Sequence, residues 1–156
     1  MTSTDATTDT TTDTTTADTA PGTTATSPRT PTAVWPTLRA HDARALIRFL
    51  VDAFGFQETA VYGEGDRVDH AQLDWPLGGG LMLGSHRESP WPQEPGGSGV
   101  YVVTDDVDAL VARARQHGAE VLVEAHDTDH GSRECVLRDP EGGLWSFGTY
   151  RGEPRA

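Results

Sequence analysis

Two segments of this chain place reactive side chains in a pattern that strand geometry can interpret. In His70-Ala71-Gln72-Leu73-Asp74-Trp75 polar residues alternate with apolar ones, and in the equivalent Arg133-Glu134-Cys135-Val136-Leu137-Arg138 Cys135 and Leu137 alternate with Glu134, Val136 and Arg138. Successive strand side chains point to opposite faces. One face therefore carries Ala71, Leu73, Trp75, Cys135 and Leu137, and the other carries His70, Gln72, Asp74, Glu134, Val136 and Arg138. A slip of one residue would bury His70 and Asp74 and expose Trp75, which disfavours it. His70 and Glu134 occupy equivalent places in the two segments. Should they approach each other, they could act as a general acid/base pair or as two ligands of an unusual metal site. The structural alternative is a His70 hydrogen-bonded in its own wall and a Glu134 paired with Arg138 or Arg39.

Other candidate groups carry less. His126 and His130 have the i, i+4 spacing of a helical metal motif, but Asp127, Thr128, Asp129 and Gly131 make the segment a loop. His86 and His117 sit at element ends. Cys135 is the single cysteine, so no intrachain disulfide can form and a reducing cytoplasm is consistent. By alternation it lies with Leu137 in the core, as an inert thiol. No phosphate-binding glycine loop followed by Lys occurs, and no Ser-His-Asp arrangement can be argued.

The elements that position these residues follow from periodicity and turn chemistry. Asp139-Pro140-Glu141-Gly142-Gly143 is a turn, because Pro fixes φ, glycines accept positive φ, and Asp bonds its own backbone. The residues on either side are antiparallel strands, with Trp145 and Phe147 on the core face. A weaker copy of this hairpin runs from His70 to Gly84, with Pro76 matching Pro140. Upstream of that copy, Val34–Ala40 reads as a strand. Asp42 caps a helix carrying Leu46, Phe49, Leu50 and Phe54, and Gly55 ends it. Gln57–Tyr62, Val68–Trp75 and Gly80–Gly84 complete three strands. The pattern restarts with a strand at Val100–Thr104 and a helix capped by Asp105 or Asp106, bearing Val107, Leu110, Val111 and Ala114 and ended by Gly118. Val121–Glu124, Arg133–Arg138 and Leu144–Tyr150 are its strands. A shift of 64 residues carries Trp35 onto Gly99, Asp42 onto Asp106, Leu46 onto Leu110 and Leu83 onto Phe147, so the chain is a duplication.

Composition bounds the remainder. Residues 1–32 are nearly all Thr, Ala, Asp, Ser and Pro, without an aromatic or branched aliphatic residue, and are expected to be a disordered leader. They have neither a basic start nor an apolar stretch, which argues against a secretory signal or a membrane span. The body, residues 33–152, is one domain: module one at 33–87, a Pro- and Gly-rich linker at 88–97, and module two at 98–152. A net charge of −12 argues against nucleic acid or an anionic membrane as partner and favours a cationic ligand.

The repeated strand-helix-three-strand unit, with the closing RDPEGGLWSFGTY and the opening TLRAHDARALIRFLVDAFGF, resembles the glyoxalase and bleomycin-resistance superfamily, the vicinal oxygen chelate fold. The resemblance implies an α+β fold of two tandem βαβββ modules whose curved mixed sheets surround a cup, with homodimerisation completing or bordering the sites. It also implies four metal-ligand positions, which here hold Trp35, Met82, Gly99 and Ser146. Those side chains do not form a His and Glu set, so no metal cofactor is expected; the alternative is one divalent ion at a displaced site. The expected cup lining is Trp35, Arg39, His70, Gln72, Asp74, Met82, Tyr101, Glu134 and Ser146. Trp91 could close over a ligand or pack on a partner subunit. Two functions remain open. One is cytoplasmic capture of an aromatic or cationic small molecule, resembling the antibiotic-binding branch, with Asp74 and Glu134 as polar anchors. The other is a small lyase, isomerase, epimerase or dioxygenase-like enzyme using His70 and Glu134 or a displaced metal.

Overall fold

The computed structural model describes residues 1–2, 33–88, 93–97 and 99–154. The expected disorder of the leader and the two roles weighed for Trp91 lie outside the described residues. The domain, Pro31–Ala156, consists of β1 (Thr37–Ala40), α1 (Ala43–Phe49), β2 (Gln57–Tyr62), β3 (His70–Asp74), β4 (Gly80–Ser85), β5 (Gly99–Val103), α2 (Val107–Gln116), β6 (Glu120–Asp127), β7 (Arg133–Arg138) and β8 (Leu144–Gly148). Two four-stranded mixed sheets result, ordered β1-β4-β3-β2 and β5-β8-β7-β6. In each, the first strand runs parallel to the last: Thr37 lies opposite Met82, and Tyr101 opposite Ser146. The duplication inferred from the sequence is thus present as architecture. Among the described residues, no helix is long and apolar enough to cross a membrane.

The helix starts match their caps. Asp42 and Asp106 each accept a hydrogen bond at 2.9 Å from the backbone N–H three residues on, which satisfies a donor that the first turn leaves unpaired. Past Phe49 the first helix widens into a π-helical turn, Leu50–Phe54, which periodicity did not anticipate. Leu50 O accepts from both Gly55 N and Phe56 N, and Gly55 closes the turn in the left-handed region at φ 96°. The wider turn brings residues five apart onto one side. Phe49 and Phe54 are accordingly both buried, with ring centroids 5.1 Å apart.

The β7–β8 hairpin is pinned from within by Asp139, a buried carboxylate. Its Oδ1 accepts from Glu141 N at 2.9 Å and Gly143 N at 2.8 Å, while Oδ2 accepts from Trp145 Nε1 at 2.8 Å. In module one Trp75 holds the place of Asp139, and its indole N–H crosses to Val103 O at 2.8 Å. Other ties also join the modules. Glu141 accepts from His41 N and Asp42 N at 2.9 and 2.7 Å, bracing the start of α1. Arg113 of α2 donates to Ala53 O and Phe54 O, satisfying carbonyls at the end of the π turn.

The packing behind these ties decides where the free faces point. Phe54 lies 5.3 Å from Trp145 and 4.9 Å from Phe147, and Phe56 lies 4.9 Å from Trp75 and 5.8 Å from Trp145. The core faces of both sheets therefore meet in one shared hydrophobic core. Their opposite faces, one carrying His70 and the other Glu134, are the ones that alternation leaves outside this core.

Candidate functional site

On the free face of module one, β1, β3 and β4 bring Thr37, Arg39, His70 and Met82 around a cavity of about 220 Å³, bordered by Asp69 and Arg87. His70 stacks on Tyr62 at 6.2 Å between ring centroids. Gln72 donates to Asp74 at 2.9 Å. Asp69 receives Arg67 at 3.1 Å and Arg87 at 3.8 Å. Arg39, half-buried, has no hydrogen bond or ion pair among the described residues. Its guanidinium lies over Gly84, where a Cβ would approach it to 2.6 Å. Trp35 lies over Gly80 in the same manner, with a Cβ there reaching 2.8 Å from the indole ring.

The free face of module two repeats the device with different chemistry. Gly148 stands 64 residues after Gly84, and a Cβ there would collide with the Tyr101 hydroxyl and lie 2.9 Å from Glu134 Cγ. Tyr101, Glu134, Ser146 and Val136 thus share one surface, since Ser146 pairs with Tyr101 on one side and Val136 on the other. Glu134 is not paired with Arg138 or Arg39. Its carboxylate meets His130 Nε2 at 3.4 Å, while Arg138 reaches Glu120 at 2.8 Å. The reason lies in β6, which runs to Asp127 rather than ending at Glu124. The tight turn that follows returns His130 over β7, and Tyr150 packs edge-on against its ring.

Of the nine residues expected to line one cup, the structure places five on module one's side (Arg39, His70, Gln72, Asp74 and Met82) and three on module two's (Tyr101, Glu134 and Ser146). Trp35 precedes β1. His70 and Glu134 stand on different sheets and do not meet within one chain: His70 packs on Tyr62, and Glu134 meets His130. Among the described residues no group of three or more His, Cys, Asp or Glu side chains converges. At the four ligand positions, a thioether, a hydroxyl, an indole and a glycine do not fit a divalent ion. Cys135 is fully buried, and burial pushes its thiol up to about 11, which leaves it protonated and unreactive. Sequence reasoning missed Gly84, Gly148, Arg87 and His130. The two glycines left a signal, their coincidence under the 64-residue shift.

A third space was not anticipated. A cavity of about 330 Å³ lies at the module junction, between the residues preceding β1, the β3–β4 turn and β5. Phe56, Trp75, Leu81 and Val102 form its apolar floor, and Tyr101 and Arg151 stand at its side. Arg151 is engaged by Asp105.

The sequence profile described as the Glyoxalase/Bleomycin resistance protein/Dioxygenase superfamily matches residues 32–147. An uncharacterized protein of Mycobacterium tuberculosis, Rv0887c, is 34% identical over 125 residues, which cover 74% of this chain and 73% of that protein. The CFP32 protein of Mycobacterium bovis is 37% identical over 68 residues, 44% of this chain, and the chain spans only about a quarter of its length (26%). Among solved structures, TioX from Micromonospora sp. ML1 superposes with a TM-score of 0.65 at 29% identity, covering 76% of this chain and 98% of that one. A Nocardioides structure superposes with a TM-score of 0.56 at 24% identity, over 85% of this chain and 92% of its own, and shares the fold.

Proposed function

The chain belongs to the glyoxalase/bleomycin resistance protein/dioxygenase superfamily, and from that premise we propose that it captures an aromatic small molecule without a metal. The observation that carries this reading is the glycine pair. Gly84 and Gly148 clear room on both free faces at the same point of the repeat, beneath Arg39 on one and Tyr101 with Glu134 on the other. Evenly apolar or fully paired sheet faces would need no such clearance. Tyr101 and Met82 offer contact area to a planar ligand, and Glu134 offers an anchor for a polar or positive group.

The two free faces belong to different sheets, and His70 and Glu134 make no contact within one chain, so a cup containing both is best completed by a second copy. We infer a homodimer in which module one of each subunit confronts module two of the other, giving two equivalent cups as two-fold symmetry requires. Capture within the cytoplasm, protecting against a toxic compound, is the role this arrangement suits. The fluorescent aromatic sulfonate 8-anilinonaphthalene-1-sulfonate is a direct probe. It should bind saturably to the folded dimer in the presence of chelator and lose affinity in Tyr101→Ala. Binding that vanishes with chelator would overturn the reading.

A catalytic alternative is favoured by one feature, the Glu134–His130 pair at 3.4 Å beside the Tyr101 hydroxyl. It replaces the His70 and Glu134 pair as the acid/base set of a lyase or isomerase. Turnover abolished in Glu134→Gln, with capture of the substrate retained, would establish it.

A further inference from the structure

We propose that the module-one half of the cup is an anion subsite, which takes a carboxylate or phosphate group of the captured ligand on Arg39. The proposal rests on the reading that the free sheet faces bind the ligand, and it names a chemistry that the overall charge of the chain does not suggest.

The argument starts from partners. Among the described residues, the other half-buried arginines all have acceptors: Arg44 donates to Gly65 O at 2.6 Å, Arg133 to Asp108 and Asp127, and Arg138 to Glu120. Arg39 has none. A guanidinium withdrawn from water without a counter-ion is costly, and its planar fork of N–H donors matches the two oxygens of a carboxylate or phosphate. The nearby carboxylate is committed elsewhere. Asp69, the one carboxylate bordering the cavity, is held by Arg67 and Arg87.

The backbone beneath is fitted to this side chain. Gly84 does not have a positive φ, so its conformation does not demand glycine. A Cβ there would instead meet the Arg39 guanidinium at 2.6 Å and the carbonyls of Asp69 and Val68 at 3.1 and 3.3 Å. The absence of a side chain leaves room for the guanidinium, and Arg39 lines the 220 Å³ cavity. Two arginines and one aspartate border that cavity, a local positive excess on a chain of net charge −12. At physiological salt the distant acidic groups are screened beyond about 8 Å, so the adjacent arginines decide which charge the cavity accepts.

The test is NMR of the Arg39 Nε–Hε signal in arginine-labelled full-length protein, titrated with phenylphosphate, benzoate, benzyl alcohol and benzylamine. Phenylphosphate and benzoate should shift the signal saturably, and added salt should weaken both. Affinity should fall at least about tenfold in Arg39→Gln, the size expected for loss of a charge-assisted contact. Arg39→Lys, which keeps the charge without the fork, should fall between; it also controls for folding. Tighter phenylphosphate binding assigns the subsite to phosphate esters, and tighter benzoate binding to carboxylates. A still Arg39 signal while benzyl alcohol binds beside Tyr101 would overturn the anion subsite and leave ligand capture standing. A still signal with no probe bound anywhere would overturn both.

Discussion

Asp139→Asn is the perturbation whose size the structure defines best. The wild-type carboxylate is buried and accepts three hydrogen bonds at 2.8–2.9 Å, two from its own turn and one from the Trp145 indole, which is only 1% exposed. An asparagine oxygen can keep the two turn contacts. Its NH2 must then face the indole N–H, donor against donor, so one charge-assisted bond is lost and a buried donor is orphaned. Bonds to charged groups contribute about 1.5–3 kcal/mol, and an orphaned buried donor costs about 1–3 kcal/mol. The two terms describe one interaction and overlap, so the expected loss is about 2–4 kcal/mol. Trp145→Phe removes the same donor and retains most of the apolar ring, and should cost about 2–3 kcal/mol; Trp145→Ala adds a cavity and should reach at least about 3–5 kcal/mol. Because the first two variants break one interaction, the double variant should cost less than their sum by at least about 1 kcal/mol. Urea unfolding at neutral pH measures all four. Additive losses, or single losses below about 0.5 kcal/mol, would refute the claim that this carboxylate pins the hairpin.

The remaining predictions concern the modules' junction and the buried thiol. Glu141→Ala should destabilise by about 0.5–2 kcal/mol, because it removes a cap-like acceptor from two exposed backbone donors at the start of α1; thermal denaturation would show the loss. Cys135 gives a pH dependence with a defined sign. Its folded pKa is raised to about 11 by burial, so the folded state holds a proton that the unfolded state releases above about 8.5. Stability from this group is full below about pH 8.5 and is lost as pH rises toward 11. Cys135→Ala should flatten that alkaline decline in denaturant titrations, and an unchanged slope would contradict the assignment.

Much of the fold was legible because it is written in local rules. Ala71, Leu73, Trp75, Cys135, Leu137 and Trp145 are all buried where alternation put them, and Asp42, Asp106, Gly55 and Gly118 act as the caps and terminators their types suggest. The site was legible only by halves. Alternation says which face His70 and Glu134 occupy, but not whether two modules meet back to back or side by side. The aromatic contacts of Phe54 and Phe56 tie the two modules into one core, and they join residues about 90 apart in the chain. The π turn escaped for a similar reason, since tertiary packing of Phe49 and Phe54 overrides helical periodicity. His130 was hidden by a strand that runs three residues longer than its composition advertised, from Glu124 to Asp127.

Mixing two blocked chains tests the central claim, a cup shared between subunits, most directly. Met82→Arg obstructs the module-one face, and Ser146→Arg the module-two face, at the middle of each sheet's register. Each variant alone should fold, dimerise and bind no 8-anilinonaphthalene-1-sulfonate at the cup. Unfolded together and refolded as an equal mixture, they should form mixed dimers holding one doubly blocked cup and one clean cup. Binding should then recover to about a quarter of the wild-type capacity, since about half of the dimers are mixed and each has one open site of two. A mixture that binds no more than its parts would contradict the shared cup and place the site within a single chain.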